Sequence, residues 1–212
     1  MTFDDTLGLL EAGLAHPLPG AAAHELLAPR PRGTWPRGFN EGRIRDAAGL
    51  LLIFPVDHRA HVVLTERAAT LGRHGGQVSL PGGVSEPGET AEQTALREAQ
   101  EEIGLAPDDV RVLGALTPLD IPVSGFRLHP IVAAVNRHPS MRPSDGEVAR
   151  ILEVAIDELL EPVSLLAHER VHDGEVSIVP GFHVHGLEIW GATAMVLSEF
   201  LVLLGWRPKS QA

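Results

Sequence analysis

Between Thr90 and Gly104 the chain carries a helix whose two ends are both written into the sequence. Thr90 is a good N-cap, since its hydroxyl can accept from an orphan N–H of the first turn, and Gln93 three residues on completes a capping box. Gly104 supplies the C-terminal stop, with Pro107 beyond it. A helix is therefore predicted over Ala91–Ile103. It is preceded by a glycine-rich loop, Gly72 to Gly88.

The segments around this helix alternate in character. Phe3, Leu7, Leu10 and Leu14 stand at helical spacing and predict a short amphipathic helix over 3–15. From Pro17 to Gly42 the chain carries Pro17, Pro19, Pro29, Pro31 and Pro36 with several glycines. It reads as linker or irregular wrapping, with one helical piece at Ala21–Leu27. After Arg43 the pattern changes to strands. The apolar run Leu50–Phe54, ended by Pro55, and a second run at His61–Thr65 flank a turn at Asp57-His58 and read as a hairpin. Further strands are expected at Val110–Leu116, Leu128–Val135, Ile151–Ile156 and Val176–Val184, and a closing helix at Gly191–Leu204. This mix predicts an α+β fold. The expected division is an N-terminal extension (1–42), one main domain (43–206) and a short tail (207–212).

Composition narrows the function classes. A length of 212 residues fits one domain. The 17 Lys and Arg against 28 Asp and Glu leave a net charge of −11, which argues against a nucleic-acid binder and its usual basic face. There are no cysteines, so thiolate zinc sites and cysteine nucleophiles are excluded. The N-terminus lacks the positive charge of a secretory signal. The most apolar stretch, Ala192–Trp206, contains Ser198 and Glu199 and is shorter than the about 20 residues that span a bilayer. It is expected to be a buried helix, and the protein to be cytoplasmic, with no membrane partner.

On a helical wheel of about 100° per residue, Leu96, Ala99 and Ile103 fall on one side of the central helix and Glu98, Glu101 and Glu102 on the other. The i, i+3, i+4 spacing makes the three carboxylates neighbours. Such like charges destabilise an isolated helix, and each raises its neighbours' pKa. A divalent cation reverses both effects, because hard oxygen ligands match Mg²⁺. Arg97 lies just outside the acidic arc, within reach of one carboxylate. A Glu-rich helix alone is most often a solvated face; the loop before this one changes the reading.

Gly83, Glu89, Arg97, Glu98, Glu101, Glu102 and Gly104 stand at the spacing G-x5-E-x7-R-E-x-x-E-E-x-G, with Ala99 after Glu98 and Leu105 closing. Seven fixed positions at a probability of about 0.1 each, over roughly 200 starts, give a chance match on the order of 10⁻⁵. The segment from Gly83 to Leu105 resembles the Nudix box. The resemblance implies a Nudix hydrolase, which cleaves a nucleoside diphosphate linked to another group using Mg²⁺ or Mn²⁺. It also implies the Nudix fold, a mixed β-sheet sandwiched between helices, with the box as a loop–helix–loop. By matching position, Glu98 and Glu102 are the principal metal ligands, Glu101 a further ligand or helper, and Gly82 offers its backbone carbonyl. Arg97 orients a glutamate, and Glu89 closes the loop onto the helix. Pyrophosphate hydrolysis needs charge neutralisation and an activated water, both of which bound ions supply, and no covalent nucleophile.

Upstream, Leu64-Thr65-Glu66-Arg67-Ala68 and the stretch from Gly72 to Gly83 resemble the second motif of the coenzyme A pyrophosphatase subgroup, L-L-T-x-R-[SA]-x3-R-x3-G-x3-F-P-G-G. Leu64, Thr65, Arg67, Ala68, Gly76, Pro81, Gly82 and Gly83 match. Gly72 stands where the motif has arginine, although Arg73 follows at once; Leu80 replaces phenylalanine and Val63 the first leucine. Ile189-Trp190-Gly191-Ala192-Thr193-Ala194 looks like the same subgroup. The implied reaction is cleavage of coenzyme A, and of its thioesters, to 3′,5′-ADP and 4′-phosphopantetheine. Coenzyme A carries a 3′-phosphate besides its diphosphate and so asks for cations near the loop. Arg67 and Arg73 are the candidates, as charge-assisted and potentially bidentate partners, with Gly82 and Gly83 as the adjoining substrate-binding backbone.

Other readings keep the box but change the ligand: ADP-ribose, NADH or a nucleoside triphosphate as substrate, or a non-catalytic Nudix module that binds a nucleotide or a protein. Such modules typically lose box glutamates, and none is lost here. For the general base, Glu101 in the box competes with Glu147, which lies in the later loop Asp145-Gly146-Glu147-Val148. The histidines receive no catalytic role; His183 and His185 are expected on one strand face, and Trp190 in the core. Monomer and homodimer are both open.

Overall fold

The computed structural model describes residues 1–35, 38–69, 75–172 and 175–207. The first helix, α1 (Phe3–Leu14), is capped by Thr2, whose hydroxyl accepts the Asp5 N–H at 3.2 Å. The predicted second helix is only four residues long, α2 (Ala21–His24), because the chain then turns to bury Leu27 and Ala28 in the main core. The proline-rich extension is wrapping and not linker. Arg30 exchanges both backbone hydrogen bonds with Ile178, at 2.8 and 2.9 Å.

The hairpin β1 (Arg45–Val56) and β2 (Arg59–Arg67) is present and longer than predicted. Its two turn residues, Asp57 and His58, both take positive φ (48° and 63°), the twist a two-residue hairpin loop requires. The glycine-rich loop contains two short strands that no periodicity announces, β3 (Val78–Ser79) and β4 (Gly82–Val84). The helix α3 (Ala91–Ile103) has the predicted bounds. Then come β5 (Arg111–Ala115), β6 (Leu119–Ile121), β7 (Phe126–Ala134), β8 (Val148–Ala155), α4 (Ile156–Leu160), β9 (Leu165–His172), β10 (Glu175–Val184), β11 (Leu187–Trp190) and α5 (Gly191–Leu203). Of these, β6, β9, β11 and α4 were not expected: three are five residues or shorter, and the apolar pattern of β9 is broken by the consecutive polar residues His168, Glu169 and Arg170.

The larger sheet runs β3-β2-β1-β7-β5, with β4 joined to β1, β6 to β7 and β8 to β2. β1 and β7 are parallel while the hairpin pairs are antiparallel, so the sheet is mixed. A smaller antiparallel sheet orders β11-β10-β9. The apolar run of β1 is unbroken because both faces are covered. Leu51 and Ile53 join the core that includes Leu10 of α1 and Phe200 of α5; Leu50, Leu52 and Phe54 pack with Ala95, Ala99 and Ile103 of α3. This is the predicted α+β arrangement, a mixed sheet between helices. Ala192–Trp206 is buried as expected for most of its length, and no helix among the described residues is long and apolar enough to cross a membrane.

Candidate active site

The helix α3 is held at both ends by the predicted chemistry. Thr90 Oγ1 accepts the Gln93 N–H at 3.2 Å, Gln93 Oε1 accepts the Thr90 N–H at 2.9 Å, and Gly104 adopts the left-handed conformation at φ 67°. Its buried stripe is Ala95, Ala99 and Ile103; Leu96, expected there, is only half-buried. The acidic side is not uniformly exposed either. The loop after β7 folds over the helix end, Ser144 N–H donating to the Glu102 carbonyl at 2.8 Å and Arg142 N–H to that of Ile103 at 2.9 Å. Consequently the Glu102 side chain is 6% exposed, that of Glu98 17% and that of Glu101 59%.

Arg97 does more than orient one glutamate. Nε and Nη2 donate to Glu89 at 2.7 and 3.1 Å, Nη1 to Glu98 at 2.8 Å and to Glu101 at 3.0 Å, and Nη2 also to the Val84 carbonyl at 3.1 Å. Glu89 is further bound by the Glu86 N–H at 2.8 Å and the Thr94 hydroxyl at 2.9 Å. Arg97, with the Glu86 N–H, lowers the Glu89 carboxyl to about 2. Sequence reading missed Thr94; its only signal is a hydroxyl on the stripe that faces the core.

Glu102 accepts the Gly82 N–H at 3.1 Å, and the Arg67 guanidinium stands 3.8 Å away. Burial pushes its carboxyl up to about 7, opposed by Gly82 and Arg67 and reinforced by the charges of Glu98 and Glu147. Both glycines are required by close approach. A Cβ on Gly83 would lie 2.5–2.6 Å from the Glu98 carboxylate, and one on Gly82 would lie 2.2 Å from the Ala48 carbonyl oxygen.

The structure thus brings Glu98, Glu102, Gly82, Gly83 and Arg67 together around the C-terminal half of α3. Exposed Glu147 is tethered beside them, its carbonyl accepting the Ala68 N–H at 2.8 Å. Arg73, like Gly72 and His74, lies outside the described residues. Among the described residues no three acidic or histidine side chains are grouped as metal ligands. Glu98 and Glu101 are each drawn to Arg97, while Glu102 is turned to Gly82. The donor set nevertheless suits a hard divalent cation: its side-chain donors are carboxylate oxygens, with one carboxylate seated on a bare glycine Cα. Two peripheral expectations fail. His185 lies beyond the end of β10, in a turn (φ 51°), where it meets Glu158 at 3.0 Å, so the two histidines are not on one strand. Trp190 is half-buried, with Arg170 4.2 Å above its ring.

Residues 43–175 match the NUDIX domain family. The Nudix hydrolase NudL of Pectobacterium atrosepticum, itself uncharacterized, is 35% identical over 153 residues, 69% of this chain and 77% of its own length. NudL of Citrobacter koseri, likewise uncharacterized, is 33% identical over 165 residues, 74% and 83% of the two chains. Among solved structures, RenU, a Nudix hydrolase from M. smegmatis, has a TM-score of 0.56 at 21% identity and covers 88% of this chain and 98% of its own; that likeness speaks for the fold. The chain belongs to the Nudix family. It is a Nudix pyrophosphatase, and enzymes of this family generally use divalent metals such as Mg²⁺ or Mn²⁺ and act on nucleotide diphosphate substrates.

Proposed function

We propose that this enzyme cleaves the diphosphate linkage of coenzyme A and its thioesters, releasing 3′,5′-ADP and 4′-phosphopantetheine. The supporting observation is Arg67: the arginine of the coenzyme A-like motif stands 3.8 Å from Glu102 of the box, a cation for the substrate beside the carboxylates for the metal. Arg73, from the same motif, is the second cation in this reading. Glu98, Glu102 and the Gly82 carbonyl hold Mg²⁺ or Mn²⁺, with Glu101 as a further ligand. Such ions neutralise the phosphoryl oxygens and lower the pKa of a bound water. Arg97 keeps Glu98 and Glu101 in orientation. Glu147 is the better general base of the two candidates: Glu101 is engaged by Arg97 at 3.0 Å, while Glu147 is near enough to raise the Glu102 pKa.

A panel of diphosphates with product identification by mass spectrometry tests this. Coenzyme A with Mg²⁺ or Mn²⁺ is expected to yield the two named products. Removing the 3′-phosphate is expected to lower kcat/KM about tenfold or more, the worth of a charge-assisted contact. Hydrolysis of ADP-ribose or NADH but not of coenzyme A would sink the substrate assignment and leave the Nudix chemistry standing.

A further inference from the structure

We infer that Thr94 is a positioning residue that sets the box carboxylates through Glu89 and Arg97. Its side chain is fully buried, and its hydroxyl lies 2.9 Å from Glu89 Oε2 and 3.2 Å from the Thr90 carbonyl oxygen. A helical threonine commonly returns its hydroxyl to the carbonyl four residues back. Here that carbonyl already accepts the Thr94 N–H at 3.0 Å, and an ionised carboxylate at shorter range is the stronger acceptor. The one hydroxyl proton therefore goes to Glu89.

Thr94 thereby supplies the fourth donor on a single carboxylate, after the Glu86 N–H and the two Arg97 nitrogens. A carboxylate pinned by a backbone N–H, a buried hydroxyl and a guanidinium fork has one rotamer. It offers that planar fork one orientation, and the remaining Nη1 then reaches Glu98 at 2.8 Å and Glu101 at 3.0 Å. The Thr94 hydroxyl bonds to Glu89 and the Thr90 carbonyl and not to a box carboxylate after Arg97; its hydrogen-bonding effect on them passes through two intermediaries. Outer contacts of this kind typically change metal affinity or activity by about 10–100-fold when lost.

The inference rests on the Nudix reading of the box, and the experiment separates the two. Mn²⁺ binding to the intact protein is followed by electron paramagnetic resonance for wild type, Thr94→Val, Thr94→Ser, Thr94→Ala and Glu98→Gln. Thr94→Val keeps the shape and loses the proton; its Mn²⁺ Kd is expected to rise about tenfold, with an unchanged far-UV spectrum. Thr94→Ser is expected within twofold of wild type, and Thr94→Ala, which puts no methyl against Glu89, is expected to match Thr94→Val. Wild-type Mn²⁺ affinity in both Thr94→Val and Thr94→Ala, or equal losses in Thr94→Ser and Thr94→Val, overturns the role of the hydroxyl. Unaltered binding in Glu98→Gln overturns the metal reading of the box, and the Thr94 inference with it.

Discussion

Glu199, in the middle of the apolar helix α5, accepts a hydrogen bond from His24 of the N-terminal extension at 3.0 Å, with both side chains buried. The same carboxylate receives the Gly20 N–H at 2.9 Å, the Thr117 N–H at 3.1 Å and the Thr117 hydroxyl at 2.7 Å. Burial alone raises its pKa, but these donors outweigh it and hold the carboxyl below the usual range. A depressed carboxyl contributes stability above its unfolded pKa of about 4.3, and that contribution is lost as pH falls through the folded value. Glu199→Gln is therefore expected to cost about 2 kcal/mol at pH 7. In urea unfolding, the gap to wild type is expected to shrink as pH drops below about 4.

Gly82 and Gly83 are adjacent, and their alanine variants are expected to fail differently. The Gly83 Cβ meets the far end of the Glu98 side chain, whereas the Gly82 Cβ meets the β1 backbone at Ala48 and Gly49. A carboxylate can swing away; a strand cannot. Gly83→Ala is expected to fold with a Tm near wild type and lose about tenfold or more in kcat through displaced Glu98. Gly82→Ala is expected to lose about 3 kcal/mol or more in stability, as steric overpacking does. Thermal melts beside steady-state kinetics distinguish the two.

Arg97→Lys removes the planar fork while keeping the charge. An ammonium cannot serve Glu89 bidentately and still reach Glu98 and Glu101. The expected result is a kcat reduced by about a hundredfold with KM changed little. A variant with wild-type kcat would show that charge alone suffices at this position.

Glu102→Gln is expected to lower kcat by about a hundredfold or more, since a metal ligand becomes neutral. The metal-free protein should gain stability at the same time. With a carboxyl pKa raised to about 7, the fold loses stability as pH rises from the unfolded value of about 4.3 to that pH, and a neutral amide relieves it by about 3 kcal/mol at pH 8. At pH 5, near the bottom of that window, the gain should shrink to about 1 kcal/mol. Melting curves of the metal-free proteins at the two pH values measure this.

Where the sequence was legible, the signal was local. The bounds of α3 follow from Thr90, Gln93 and Gly104, each acting within four residues of the bond it makes. The apolar runs of the hairpin and the apolar closing helix were equally readable. The two- and three-residue strands β3 and β4 were not, because a period of two cannot register in so few residues. The wheel of α3 set Glu98, Glu101 and Glu102 on one side, where Arg97 takes the first two and Gly82 the third, and it placed Leu96 inward where Ala95 lies. Which stripe is buried depends on β1, β4 and the loop at Ser144, none of which the wheel contains.

By itself, the sequence determined the chemical inventory of this protein: an acidic helix, capped at both ends, behind a glycine loop, with arginines upstream and no thiol. Those features are set by spacing within one short segment, and the Nudix chemistry follows from them. Tertiary structure alone decided what each carboxylate does. Glu102 is buried against Gly82 and faced by Arg67, Glu101 stays in solvent on Arg97, and Glu199 ties an apolar helix to the N-terminal extension. Burial and hydrogen bonding depend on groups brought together from distant parts of the chain, and the pKa and position of a carboxylate follow from those neighbours.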